Sequence, residues 1–145
     1  MENKKTLFSK KSETYMCCFN SQCPRHADCL RWEVGQYFDP QMHVVRSISP
    51  RYEKAADGTC SFFRDRQPQL MPLGMKGFYY DMPAHTARFI KNTLISRYGR
   101  TIYYQYHRGD RPVTPDFRQV VESLCQEAGW TQPLHFDGET EDYVW

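Results

Sequence analysis

The sequence of 145 residues predicts an α+β fold: a single small domain with a cysteine-rich N-terminal subdomain carrying short strands and a three-helix C-terminal half. Three observations predict it. Cys18, Cys23 and Cys29 fall within a dozen residues, and Cys60 follows after a long gap. Beyond Pro83, apolar residues recur at the three- and four-residue steps of amphipathic helices. The length suits one shared core rather than two independent domains, and the 40% hydrophobic and 15% aromatic content can fill it.

In chain order, residues 1–14 read as a flexible basic arm carrying Lys4, Lys5, Lys10 and Lys11. Residues 15–76 form the expected cysteine-rich subdomain. Within it, Ala27 to Val34 can make one or two helical turns ending at Gly35, and Met42 to Ser49 alternates like a strand until Pro50 stops it. The segment Ala55 to Cys60 reads as a turn, and Gln67 to Gly77 as a Pro/Gly-punctuated connector. Gly77 to Asp81 is a further short-strand candidate.

Residues 77–145 form the expected helical half. Its first helix has Asp81 as cap, Pro83 in the first turn, and Ala87, Ile90, Leu94, Ile95 and Tyr98 on one face, with Gly99 as a left-handed stop. Thr101 is the expected cap of a short second helix through Tyr106, closed by Arg108-Gly109, with Tyr103 and Tyr106 facing inward. The third starts at Thr114-Pro115 and carries Phe117, Val120, Val121, Leu124, Cys125 and Ala128 on one face, which makes Cys125 a core residue. The acidic tail is expected to dock through Tyr143 and Trp145.

No apolar leader opens the chain and no segment is long and apolar enough to span a bilayer, so the expectation is a cytoplasmic protein with no membrane partner. In a reducing cytosol, clustered cysteines are expected to bind metal or do redox chemistry rather than to form structural disulfides. Cys18, Cys23, Cys29 and Cys60 are the candidate ligands of a structural zinc, which takes four thiolates tetrahedrally, with Cys17 or His26 as substitutes. An iron–sulfur cluster is the alternative cofactor, although neither common ferredoxin spacing is present. The four can equally be small buried hydrophobes, or one can be a nucleophile activated by His26, His43, His85 or His107.

The formal net charge is +2, but it is unevenly spread. Ala84 to Pro112 holds six Lys/Arg against one acid, and Val113 to Trp145 holds seven acids against one base. A basic segment of that kind suits an anionic partner, or an acidic segment packed on it. In a helix-turn-helix the second helix enters the major groove, which would turn Thr101, Tyr104, Gln105 and Arg108 toward base edges and set Arg97, Arg100 and Arg111 near phosphates. Tyr79, Tyr80, Tyr103 and Tyr104 are candidates for stacking on single strands.

The run Leu94 to Gly99, Tyr106 to Pro112 and Thr114-Pro115 resembles the helix-turn-helix of phage-repressor-like DNA-binding proteins, with Ile95 where those usually carry alanine. The whole chain resembles a family of small uncharacterised bacterial cysteine-containing proteins. That resemblance rests on Cys-Phe-Asn, Cys-Pro and Cys-Leu-Arg between Cys18 and Arg31, on Cys60 before Phe-Phe-Arg, and on the pattern from Arg97 to Pro115. It implies a bacterial protein whose two halves form one unit, and it implies no chemistry.

These features together lead to the expectation of a non-enzymatic nucleic-acid-binding or regulatory protein with a structural metal site. The alternative is a protein–protein interaction adaptor with no catalytic activity. A second alternative is a thiol or iron–sulfur redox protein.

Overall fold

The structure, a computed structural model, describes residues 2–145. The chain is α+β, with five α-helices and a two-stranded antiparallel sheet among the described residues. It divides into two compact units, one of Met1–Pro68 with Tyr143–Trp145 and one of Gln69–Asp142.

The first unit contains α1 (Lys4–Ser12), a 3-10 turn (His26–Asp28) and α2 (Leu30–Gly35), joined by long irregular segments. The stretch expected as a flexible arm is therefore a helix from Lys4 onward. Asn3 caps it by accepting the Lys5 N–H at 3.1 Å, and Phe8 is fully buried among the rings of Tyr37, Tyr143 and Trp145 at 5.1–5.9 Å. Lys4 is ion-paired with Glu33 of α2, and the Lys11 ammonium lies 4.5 Å over the Trp145 ring. The segment is polar in composition, but one aromatic side chain with a ready-made socket is enough to order it. Tyr143 and Trp145 dock as expected, in this socket.

The expected strand from Met42 to Ser49 is absent. Only Ser47 pairs, bridging to Cys17 through Cys17 N–H to Arg46 O and Ile48 N–H to Cys17 O, each 3.0 Å. Its alternating side chains have no sheet face to cover, and Val44 is 83% exposed.

The second unit comprises β1 (Gln69–Leu73), α3 (Ala84–Tyr98), α4 (Arg100–Arg108), α5 (Pro115–Glu127) and β2 (Gly138–Asp142). β1 and β2 pair antiparallel from Gln69↔Asp142 to Leu73↔Gly138, so the stretch read as a connector is a strand and its partner is the acidic tail. Gly77 to Asp81, the other strand candidate, is a succession of turns. Pro72 is tolerated because both strands of a two-stranded sheet are edges, and its carbonyl accepts the Val113 N–H at 2.8 Å.

Three helices form the core as their periodicity dictates. Ile90 and Leu94, Tyr103 and Tyr106, and Phe117, Val121, Leu124 and Cys125 meet there, with the Tyr106 and Phe117 rings stacked at 3.7 Å. Thr114 caps α5 by accepting the Phe117 N–H, with Pro115 in the first turn. α3 begins after Pro83 without a side-chain cap, so Asp81 does not serve as one. Gly99 is not a left-handed stop but an extended residue of positive φ (82°, ψ 158°), which lets α4 begin at the very next residue.

Gly74 also needs its missing side chain. It has φ +87°, and a Cβ there would fall 2.7 Å from an Asp137 oxygen whose carboxylate is pinned by the Lys76 and Gly77 N–H groups at 2.7 and 2.9 Å. Gly74→Ala is expected to cost about 2 kcal/mol or more from left-handed strain and displacement of that carboxylate, read as a lower urea midpoint. An unchanged midpoint would show that the loop yields freely.

Candidate functional site

Three irregular segments of the first unit close around a cavity of about 480 Å³. The first brings Cys18, Cys23 and Cys29, the second Ile48, Pro50 and Lys54, and the third Cys60, Phe62 and Phe63. All four cysteines singled out in the sequence therefore line one cavity.

Backbone pairing rather than a sheet holds the walls. The Cys29–Asp65 bridge joins the first and third segments through Leu30 N–H to Arg64 O (2.7 Å) and Arg66 N–H to Asp28 O (3.1 Å). The buried Arg31 of α2 reinforces it by donating from Nε to the Phe62 carbonyl at 2.6 Å and from Nη1 to the Met16 carbonyl at 2.9 Å, with its guanidinium over the Tyr15 ring. The ring of Tyr52 meets Phe62 edge-on at 4.9 Å, tying the second segment to the third.

At the cavity wall the Lys54 Nζ donates to Cys23 Sγ at 2.8 Å. Burial pushes the Cys23 thiol up, but the Lys54 hydrogen bond, the Arg25 backbone N–H and the charges of both residues outweigh it, so the thiol lies below its ordinary value. The same bond raises Lys54, with further contributions from the charges of Cys23, Cys60 and Cys18. One ammonium thus serves three thiols, and most directly Cys23.

The remaining cysteines are of another kind. Cys17 is buried with its thiol raised by burial, and Cys125, buried in the second unit, is pushed up to about 11 by burial and by the charge of Glu122. His26 lines the cavity too. Its Nδ1 donates to the Cys23 carbonyl at 2.7 Å, while the group hydrogen-bonded to the Cys23 sulfur is the Lys54 ammonium. Sequence reasoning weighed only histidines. Lys54 lies 31 residues from Cys23 in an irregular segment, and no spacing rule points to it.

Among the described residues no three His, Cys, Asp or Glu side chains converge as ligands of one ion. Cys18, Cys23, Cys29 and Cys60 line a shared cavity, and Cys23 Sγ accepts from the Lys54 ammonium at 2.8 Å.

The residues expected at a nucleic-acid interface are spread over α3, α4 and the following turn. Arg97, Arg100, Thr101 and Arg108 are exposed, whereas Tyr104, Gln105 and Arg111 are half-buried. Gln105 Oε1 accepts from Arg111 Nε and Nη2 at 3.1 and 2.9 Å, and Arg108 is ion-paired with Asp110 at 2.9 Å. Two of the groups expected to read bases, Gln105 and Arg108, are thus engaged by Arg111 and Asp110. Moreover, a single residue separates α3 from α4, where a helix-turn-helix needs a turn of three or four. Arg97 lines a shallow groove on the outer stripe of α3 together with His85, Arg88, Phe89, Asn92 and Ser96, none of which sequence reasoning placed at the interface. Among the stacking candidates, Tyr80 is exposed, while Tyr103 donates to Tyr79 at 3.1 Å and is buried.

Among the described residues no helix is long and apolar enough to cross a membrane. Compared with known families, residues 1–145 match the model of a family described as one of unknown function (DUF6078). No curated protein and no solved structure matches the chain.

Proposed function

We propose, from the premise that the chain belongs to this family of unknown function over its whole length, that it is a thiol redox protein centred on Cys23. The observation that carries this is the Lys54 ammonium 2.8 Å from Cys23 Sγ at the wall of a cavity lined by three further thiols. A thiolate is the nucleophile in sulfur exchange, and a neighbouring cation keeps it ionised near neutral pH.

In the proposed reaction, Cys23 Sγ attacks one sulfur of a disulfide. A new S–S bond forms, the substrate's S–S bond breaks, and the leaving sulfur departs with the electron pair and takes a proton from Lys54 or water. Cys60 or Cys18, the other thiols whose charge Lys54 senses, then attacks Cys23 Sγ and releases the second half of the substrate as a thiol. The protein is left with a disulfide, and two electrons have passed to the substrate.

Limited alkylation with iodoacetamide between pH 6 and 9, followed residue by residue by peptide mass spectrometry, tests the premise. A lowered thiol is ionised from a lower pH upward, so Cys23 is expected to label first, and its rate to rise at lower pH than that of the other thiols. Cys17 and Cys125 should label last. Uniform labelling, or a full equivalent of zinc or iron protecting Cys23 in freshly purified protein, would overturn it.

A second reading, nucleic-acid binding, is favoured by a different observation. Arg88, Arg97 and Arg100 are exposed on α3 and α4, Arg88 and Arg97 in one groove with the exposed Phe89, and among the described residues none of the three is ion-paired with a carboxylate. Fluorescence anisotropy with duplex and single-stranded DNA should then show log K falling linearly with log salt, and Arg88/Arg97/Arg100→Glu should reduce that slope by about three. Equal binding by the folded variant removes the reading.

A further inference from the structure

We infer that the cysteine cavity recognises a small aromatic or apolar molecule bearing a carboxylate or similar anionic group, and that this is the substrate class offered to Cys23. The inference rests on the thiol-redox proposal for its second clause only.

The walls are the first argument. Phe19, Trp32, Tyr52, Phe62 and Phe63 surround the space together with Ile48, a lining suited to a flat apolar body. A volume of about 480 Å³ lies in the range of small-molecule sites. Phe19 is partly exposed, and its ring packs edge-on against Phe38.

Charge is the second argument. The lining includes Arg25, Lys54 and His26 but no carboxylate. Among the described residues, neither Arg25 nor Lys54 is ion-paired with an acid. The Arg25 guanidinium lies over the Phe63 ring, its Cζ 3.6 Å from the centroid, and a guanidinium on a ring face keeps N–H groups for a carboxylate. Even with Cys23 ionised and offsetting the charge of Lys54, an anion is met by the uncompensated Arg25. A cationic ligand would meet the same field as repulsion.

Isothermal titration separates recognition from chemistry by using two unreactive probes of one shape, 2-naphthoate and neutral 2-naphthalenemethanol. Naphthoate is expected to bind at least about tenfold more tightly. Arg25→Gln should remove most of that difference while leaving the alcohol's affinity unchanged. Saturating naphthoate should also slow Cys23 alkylation in the wild-type protein, which places the probe in this cavity.

Equal affinity for both probes, no binding of either, or naphthoate that leaves Cys23 alkylation untouched overturns the inference. The comparison of probes needs no variant, so a poorly folding Arg25→Gln does not rescue it. Ordinary reactivity of Cys23 in the absence of probe sinks the redox proposal instead, and leaves the ligand class standing on the isotherms.

Discussion

Replacing Lys54 by methionine is expected to slow alkylation of Cys23 at pH 7 about five- to tenfold, while leaving the rates at Cys17 and Cys125 unchanged. The ammonium contributes the hydrogen bond at 2.8 Å and a positive charge, and both favour the thiolate over the thiol. Methionine keeps most of the apolar stem and deletes the donor. Burial of Cys23 then acts unopposed by Lys54, with only the Arg25 N–H and charge still lowering the thiol, so less of it is ionised at neutral pH. The rate does not fall as far as the thiolate population, because a more basic thiolate is the better nucleophile. At pH well above the ordinary thiol range both proteins are fully ionised, and the difference should shrink or reverse. A variant that labels as fast as the wild type at pH 7 would mean that Lys54 swings away in solution, and the redox proposal would lose its support.

Arg31→Met is expected to cost about 3 kcal/mol of stability, because it removes two charge-assisted hydrogen bonds and leaves the Phe62 and Met16 carbonyls without their donor. With a denaturant slope of the usual size for a small protein, the urea midpoint should fall by about 2 M. The side chain is buried, so water does not readily replace the lost donors. Methionine nearly preserves the apolar volume, which isolates the hydrogen bonds from simple cavity formation. Arg31→Lys should recover only part of the loss, since one ammonium cannot reproduce the two-direction fork. A midpoint within about 0.3 M of wild type would show that the cavity walls stand without this strut. The two variants differ in kind: Lys54→Met changes reactivity at little cost in stability, whereas Arg31→Met loosens the walls that hold Cys23 and Cys60 in one cavity.

The helical unit was the most legible part of the chain. Each of its helices owes its burial to its own periodicity, and the signals are local: Thr114-Pro115 at the start of α5, and the inward Tyr103 and Tyr106 of α4. The stop at Gly99 was legible as a stop but not as to kind, because φ alone is permitted by glycine while ψ is set by where α4 must go. β1 was not legible at all. Its partner lies some seventy residues away in an acidic tail whose composition disfavours strands, so pairing overrode propensity.

For the candidate site the sequence by itself singled out Cys18, Cys23, Cys29 and Cys60, which line one cavity, and its helical periodicity placed Cys125 in the core. It also determined the three helices and the docking role of Tyr143 and Trp145. Only the tertiary structure decided that the arm is a helix, because Phe8 needs rings supplied by Tyr37, Tyr143 and Trp145. Only the tertiary structure decided what the thiols face. Ligand geometry depends on where four side chains converge, and charge on which cation reaches them; Lys54 reaches Cys23 from an irregular segment whose course is fixed by backbone bridges and by ring packing, neither of which leaves a periodic trace in sequence.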